Sequence, residues 1–290
     1  MAEAPGHKLG QLIGDSLEIA VEPLLRSFAD RHRLFLDTAG PRPARNGTKV
    51  AWIDDLSNTH DLDFVLERGG TEDVIGTPAA FIESAWRRYT KHSRNKAQEM
   101  QGAVLPLLSK WSSVKPFAGA VIGGEWTEGA IQQLRSSGFQ VLHISYIEMI
   151  GAFALVGIEV ATDENTPDDF LQEQVDRFEA LTPGQLQELG EAIRNCAPKE
   201  FEEFFAALET AVTRTVSSVV VLPLYGEEAE YPDIAAAVEG MSAFDERASV
   251  AEPIGFQRLE VLVRFTNGDR IEAEFGSVDR AVAFLRTFED

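Results

Sequence analysis

A single glutamate, Glu83, stands inside an otherwise apolar run, with Ala79-Ala80-Phe81-Ile82 before it and Ala85-Trp86 after. The run has the length and composition of a buried strand, and an ionised carboxylate there is costly unless a charge or a metal compensates it. Twenty residues earlier Asp63 holds the same kind of position, in Leu62-Asp63-Phe64-Val65-Leu66. That separation suits two strands joined by a loop, which sets the acids side by side. Carboxylates on neighbouring strands are a common way to hold a hard divalent cation such as Mg²⁺. Directly after the second strand come Arg87, Arg88, Lys91, Arg94 and Lys96, with Trp86, Tyr89 and His92 interleaved and no acid between them. Cations beside a carboxylate pair point to phosphodiester chemistry, and phosphate contact is the expected role of the run.

The surrounding elements follow from periodicity and breakers. Leu9, Leu12, Ile13, Leu17, Val21, Leu24, Leu25 and Phe28 recur at helical spacing and predict an amphipathic helix from Lys8 to about Arg33, with Pro23 as a kink. Asp37 to Gly47 reads as a loop. Lys49 to Leu56 and His60 to Glu67 read as antiparallel neighbours, and Ala79 to Arg87 as a third strand. A helix from Ser93, its expected cap, to Trp111 follows, then a strand at Phe117 to Gly123 and a helix capped by Thr127. Gln140 to Tyr146 is the last strand of this half. The result is a mixed sheet flanked by helices, an α/β fold.

Beyond residue 160 the character changes. Three acidic amphipathic helices are expected between Phe170 and Val212, after an acidic linker at Asp163 to Asp169. A strand at Val216 to Leu224, a hairpin turning at Asn267-Gly268 and a closing helix from Val278 make a small α+β region. The expected division is therefore 1–160, 161–212 and 213–290.

Net charge argues against nucleic acid and has to be answered by location. The 290-residue chain carries −21, and phosphate binding is driven by Lys and Arg. Between Glu83 and Lys115, however, the only acids are Glu83 and Glu99, against seven basic residues. The acid surplus lies elsewhere, mainly in the helices after residue 159. One cysteine, Cys196, excludes an intramolecular disulfide and a cysteine-rich zinc site, and fits a cytoplasmic setting. No apolar run is long enough to cross a bilayer, and the first residues lack the basic-then-apolar order of a secretory signal.

Helix, acid-bearing hairpin, acid-bearing strand, basic helix, strand and helix in this order resemble the PD-(D/E)XK nuclease superfamily, which includes many type II restriction endonucleases. The resemblance covers Lys8 to Tyr146. In the family's motif the first acid precedes an apolar run, as Asp63 does here, and the second opens an acid-x-Lys triplet, here Glu83-Ser84-Ala85. The resemblance implies a restriction-endonuclease-like sheet, Mg²⁺ or Mn²⁺ held by Asp63 and Glu83, and double-stranded DNA as substrate, cut by a homodimer. Relatives often draw a further metal-binding acid from the first helix, a role that falls to Glu18 in Gly14-Asp15-Ser16-Leu17-Glu18.

Two positions depart from the family pattern. Leu62 stands where proline is common, and Ala85 stands where the family has the lysine that orients or activates the attacking water. Arg87 shares a strand face with Glu83 and Ala85, but a guanidinium is a poor general base. Lys91 or Lys96, from the following segment, are the other candidates. Asp61 also shares a strand face with Asp63, though a solvated residue is the expectation there. The expected site is therefore Asp63, Glu83, Arg87 and Lys91 for catalysis, with Arg88, Arg94 and Lys96 joining Arg87 and Lys91 on DNA. The alternative is a nuclease fold that binds or regulates without cutting.

Overall fold

A computed structural model describes residues 4–244 and 256–289. The chain divides into two units, residues 1–111 with 116–209 and residues 112–115 with 210–290. Among the described residues no helix is long and apolar enough to cross a membrane.

The first unit opens with α1 (Pro5–His32), which buries one face through Leu9, Ile13, Leu17, Val21, Leu25 and Phe28. Pro5 costs nothing at the first helical position, where its missing N–H has no partner to lose. Arg33, in the left-handed region at φ 54°, ends the helix. The chain then forms β1 (Leu34–Asp37), β2 (Val50–Ile53), β3 (Thr59–Leu62), β4 (Phe64–Arg68) and β5 (Thr77–Arg87). A single 3₁₀ turn, Thr90–His92, leads into α2 (Ser93–Lys110); β6 (Phe117–Gly124), α3 (Glu128–Ser136), β7 (Phe139–Ser145) and α4 (Tyr146–Leu155) follow. The acidic helices are α5 (Asp168–Glu179), α6 (Pro183–Cys196) and α7 (Pro198–Val212).

Five strands form one mixed sheet in the order β1-β4-β5-β6-β7. β4 runs antiparallel to β1 and β5, and β5, β6 and β7 run parallel. Side chains alternate along β5. Phe81 and Ala85 pack with Ala97, Met100 and Val104 of α2 and with Ile131 and Leu134 of α3. On the opposite face Trp86 lies against Gly14 of α1 and Tyr146 of α4. The α/β mixed sheet with helices on both faces is thus as the periodicity implies.

Several local expectations are corrected. The segment His60 to Glu67 is two strands: β3 pairs with β2 in a separate two-stranded sheet, while β4 joins the main sheet. β1, four residues directly after a long helix, has no counterpart in the sequence reading, which ends the helix at about Arg33 and opens a loop at Asp37. Ser93 does not cap α2; its Oγ donates to Thr90 O, and His92 holds the cap position without a side-chain bond. Thr127 does cap α3, accepting from Ala130 N. The acidic helices do not form a segment of their own, since α5 and α6 pack on α1 and α6 on α4.

The second unit contains β8 (Val216–Pro223), β9 (Ala229–Tyr231), α8 (Ile234–Ser242), β10 (Leu259–Phe265), β11 (Arg270–Phe275) and α9 (Val278–Leu285). Its antiparallel sheet has the order β11-β10-β8-β9. Val219, Val221, Val261 and Val263 face Ile234, Ala237 and Met241 of α8 and Ala281 and Leu285 of α9. This is the expected α+β region, with β9 and α8 added.

Candidate active site

The site begins where one extended segment changes sheets. β3 ends at Leu62 and β4 begins at Phe64, so Asp63 sits at the hinge between them. Phe64 pairs with Ile82 across the β4–β5 ladder, and continuing that register by one residue sets Asp63 opposite Glu83. At this step the backbone ladder gives way to side chains. Asp63 Oδ2 accepts from the Ser84 backbone N at 2.6 Å and from Ser84 Oγ at 2.9 Å. The Glu83 carboxylate accepts from the Asp63 backbone N–H. The two acids are thereby pinned to each other's strands.

Ser84 also links a third acid. Its Oγ lies 3.2 Å from Glu18 Oε1 on α1. A hydroxyl has one hydrogen to donate, so Ser84 Oγ bonds Asp63 and Glu18 at once only when one of the two carboxyls carries a proton and donates it to Oγ. The electrostatics agree with that arrangement. Burial, followed by the charge of Asp63, pushes the Glu18 carboxyl up to about 7. Burial and then Asp63 push Glu83 up to about 8, with Lys96 partly offsetting the rise. Asp15, one turn before Glu18, is raised as well, chiefly by burial. Glu83 is 7% exposed, and its Oε1 is buried without a hydrogen-bond partner.

Asp15, Glu18, Asp63 and Ser84 line a cleft of about 460 Å³ together with Arg87, Arg88, Tyr89 and Lys96, whereas the buried Glu83 is not part of its lining. The cations distribute unevenly. Lys96 stands within electrostatic reach of Glu83 and lies 3.5 Å from Glu99. The Arg87 guanidinium donates to Trp86 O at 2.9 Å and faces Glu99 at 3.9 Å, and burial lowers its pKa. Lys91 does not line this cleft; it lines a neighbouring one with Arg88, Tyr89, Thr90, His92, Glu125 and Glu164. Arg94 lies against Gly129 at the start of α3.

Asp61, Glu22 and Gln101 fall outside the cleft. Asp61 pairs with Lys49 across the β2–β3 hairpin, so it is the solvated residue expected. Glu22 pairs with Arg26 one turn along α1. Gln101 ties α2 to α3 through Gln133 and Ser137. Ser84 was missed in the sequence because alternation assigns it to the face opposite Glu83. Its importance comes from the backbone break at Asp63, which periodicity does not signal.

The turn that closes β6 fixes the far wall. Gly124 has φ +91°, and a Cβ there would collide with Arg87 O and the Trp86 ring. The next residue, Glu125, donates its N–H to Arg87 O at 2.7 Å. The end of β5 and this turn are therefore locked together.

No family model, curated protein or solved structure matched this chain.

Proposed function

We propose that the first unit is a metal-dependent endonuclease of the PD-(D/E)XK type, acting on DNA. The observation that carries this reading is the buried Glu83 carboxylate, with Oε1 left unpartnered, beside Asp63, which itself lines a cleft with Arg87, Arg88 and Lys96. Burying the Glu83 carboxyl beside a second acid is unfavourable by itself, and a perturbed group next to a cleft is more common at functional sites than elsewhere. The sheet order, with the two acids where its second and third strands meet, supports the restriction-endonuclease-like fold.

Among the described residues no three of His, Cys, Asp and Glu are drawn together tightly enough to hold a cation by themselves. Mg²⁺ keeps several waters and is commonly held through one or two carboxylates plus substrate phosphates, so Asp63 and Glu83 fit it, with Glu18 the nearest further acid. When bound, such an ion lowers the pKa of a water and stabilises charge on the phosphate. Ser84 holds Asp63 in orientation through two donated bonds. Lys96 is the lysine nearest to filling the place that Ala85 leaves empty, because its charge is already felt by Glu83. This moves the catalytic assignment from Lys91 to Lys96. Arg87, with a buried Nε that lacks a partner, adds positive charge at the scissile phosphate.

Purified protein incubated with duplex DNA and Mg²⁺ or Mn²⁺ is expected to cleave it, and EDTA to abolish cleavage. Failure with either metal on linear, nicked and branched duplexes overturns the reading. Ser84→Ala is expected to lower metal affinity about 10- to 100-fold, as loss of a group that orients a ligand does, while unfolding stays two-state. Calorimetric titration with Mn²⁺ measures it.

One observation favours a second reading, a nuclease fold without catalysis: Ala85 is buried among the apolar side chains of α2, with no cation at that position. Under that reading the same titration shows no Mn²⁺ binding that depends on Asp63.

A further inference from the structure

The cleft beside the carboxylates has a composition that phosphate binding does not explain. It measures about 530 Å³ and is lined by Arg88, Tyr89, Thr90, Lys91, His92, Glu125 and Glu164. Arg88 and Tyr89 line the carboxylate cleft too, so the two meet along that edge. Both signs of charge are present, yet among the described residues Arg88, Lys91, His92, Glu125 and Glu164 make no ion pair with one another. One Arg88 guanidinium nitrogen is buried without a partner. Tyr89 is 40% exposed, and its ring stacks on no other aromatic among the described residues. Glu125 is held in place by its N–H bond to Arg87 O.

Donors, carboxylate acceptors and a free aromatic face are the three things a nucleobase edge and ring require. Carboxylates repel phosphates but accept from exocyclic amino groups, and aromatic side chains stack on bases of any sequence. The volume lies within the range of small-molecule sites. A long duplex is a poor fit, because its affinity depends on many neutralised phosphates. Of the basic run, Arg87 and Lys96 already face Glu99 and Arg94 packs against Gly129 of α3, leaving Arg88 and Lys91 to reach a backbone here.

We infer that this second cleft binds an unpaired nucleobase next to the scissile phosphate, so that the preferred substrate carries single-stranded or extruded nucleotides there. The inference rests on the nucleic-acid reading of the first cleft. Tyr89 stacks on the base, Glu125 and Glu164 accept from its edge, and Arg88 and Lys91 contact the adjoining phosphates.

The test is fluorescence anisotropy in EDTA with a labelled short single-stranded oligodeoxynucleotide and with the same sequence as a blunt duplex. The single strand is expected to bind more tightly. Tyr89→Ala is expected to weaken it about tenfold or more, the low end of what one stacked base contributes; Tyr89→Phe should retain binding. Equal affinity for the two probes, or a Tyr89→Ala variant that binds like wild type, overturns the inference. Metal-dependent cleavage of blunt duplex unaffected by Tyr89→Ala would sink it while leaving the nuclease reading intact. Tyr89-dependent binding of the single strand without cleavage under Mg²⁺ or Mn²⁺ would support it and remove the nuclease reading.

Discussion

Replacing Asp63 by Asn or Glu83 by Gln is expected to lower metal-dependent cleavage about a thousandfold or more, while the Glu83→Gln protein becomes more stable in metal-free buffer near pH 8. The first effect follows from removing half of a two-carboxylate set. A bound cation contributes several kcal/mol of charge stabilisation, and each ~1.4 kcal/mol is a factor of ten in rate. Asparagine and glutamine keep the size of the side chains, so the β4–β5 junction should survive. Asp63→Asn has one further effect: its amide must still accept from Ser84 N, and only its carbonyl end is able to do so.

The second effect comes from linkage. The Glu83 carboxyl is raised to about 8 in the folded protein by burial and by Asp63, against about 4.3 for an unperturbed glutamate. Between those two values the folded state holds a proton that the unfolded state has released. Stability without metal therefore falls as pH rises through this window. Three pH units or so correspond to a few kcal/mol. Glu83→Gln removes that slope, and added Mn²⁺ should oppose it in the wild type by binding the ionised form. Thermal melts from pH 5 to 8.5, with EDTA and with Mn²⁺, measure all three. A wild-type stability that is flat across the window, or a Glu83→Gln protein that melts below wild type at pH 8, would remove Glu83 as the buried, metal-seeking acid.

What the sequence discloses about this site depends on the range over which each signal acts. Glu83 is legible because a charge in an apolar run conflicts with its surroundings, and that conflict is written in nine or so adjacent residues. The pairing with Asp63 is legible from loop length. The hinge at Asp63 is not, since His60 to Glu67 reads as one strand and only the competition between two sheets divides it. β1 is four residues long and follows a helix of 28, so its pattern is too short to stand apart from the helix end. Its place in the sheet is set by pairing with β4, a tertiary effect that local propensity does not encode. The basic run is legible as charge but not as geometry. One helical turn decides that Lys96 points to the carboxylates while Lys91 lines the next cleft, and the 3₁₀ turn at Thr90–His92 sets that phase. The acidic helices were read correctly as helices and wrongly as a separate segment, because an amphipathic pattern shows that a face is buried without showing against what.

Under the proposed nucleic-acid reading, the net charge of −21 acquires a role. Exposed acids over much of the chain oppose the approach of a polyanion, and the opposition is screened within about a Debye length at physiological salt. Productive binding then depends on short-range contacts in the two clefts. This predicts weak nonspecific affinity for duplex and a shallow salt slope, in contrast to proteins that coat a duplex with cations.

The brace that holds β4 supplies the largest expected effect on folding. Arg42 is 4% exposed in the loop after β1. Its guanidinium donates to Glu67 Oε1 at 2.6 Å and Oε2 at 3.0 Å, to Thr71 O at 2.7 Å and to Val74 O at 2.8 Å, and it reaches Asp37 Oδ2 at 2.9 Å. The Phe35 ring lies 4.2 Å below it. Glu67, fully buried on β4, also accepts from Gly76 N at 2.6 Å. One side chain thus ties β1, β4 and the loop between β4 and β5. Arg42→Met keeps the bulk and removes the charge, leaving the buried Glu67 without a cation, while Asp37 keeps Arg45 at 3.1 Å. Breaking a buried pair from one side typically costs about 3–5 kcal/mol, a large share of the stability of a domain. Urea denaturation should show that loss at neutral pH. The deficit should shrink as pH is lowered, because protonating Glu67 removes the charge that lacks a partner. A variant as stable as wild type at pH 7, or a deficit independent of pH, would mean that the cluster contributes packing alone. Since β4 carries Glu67 near one end and continues from Asp63 at the other, the same variant should also weaken Mn²⁺ binding, although Arg42 does not line the carboxylate cleft.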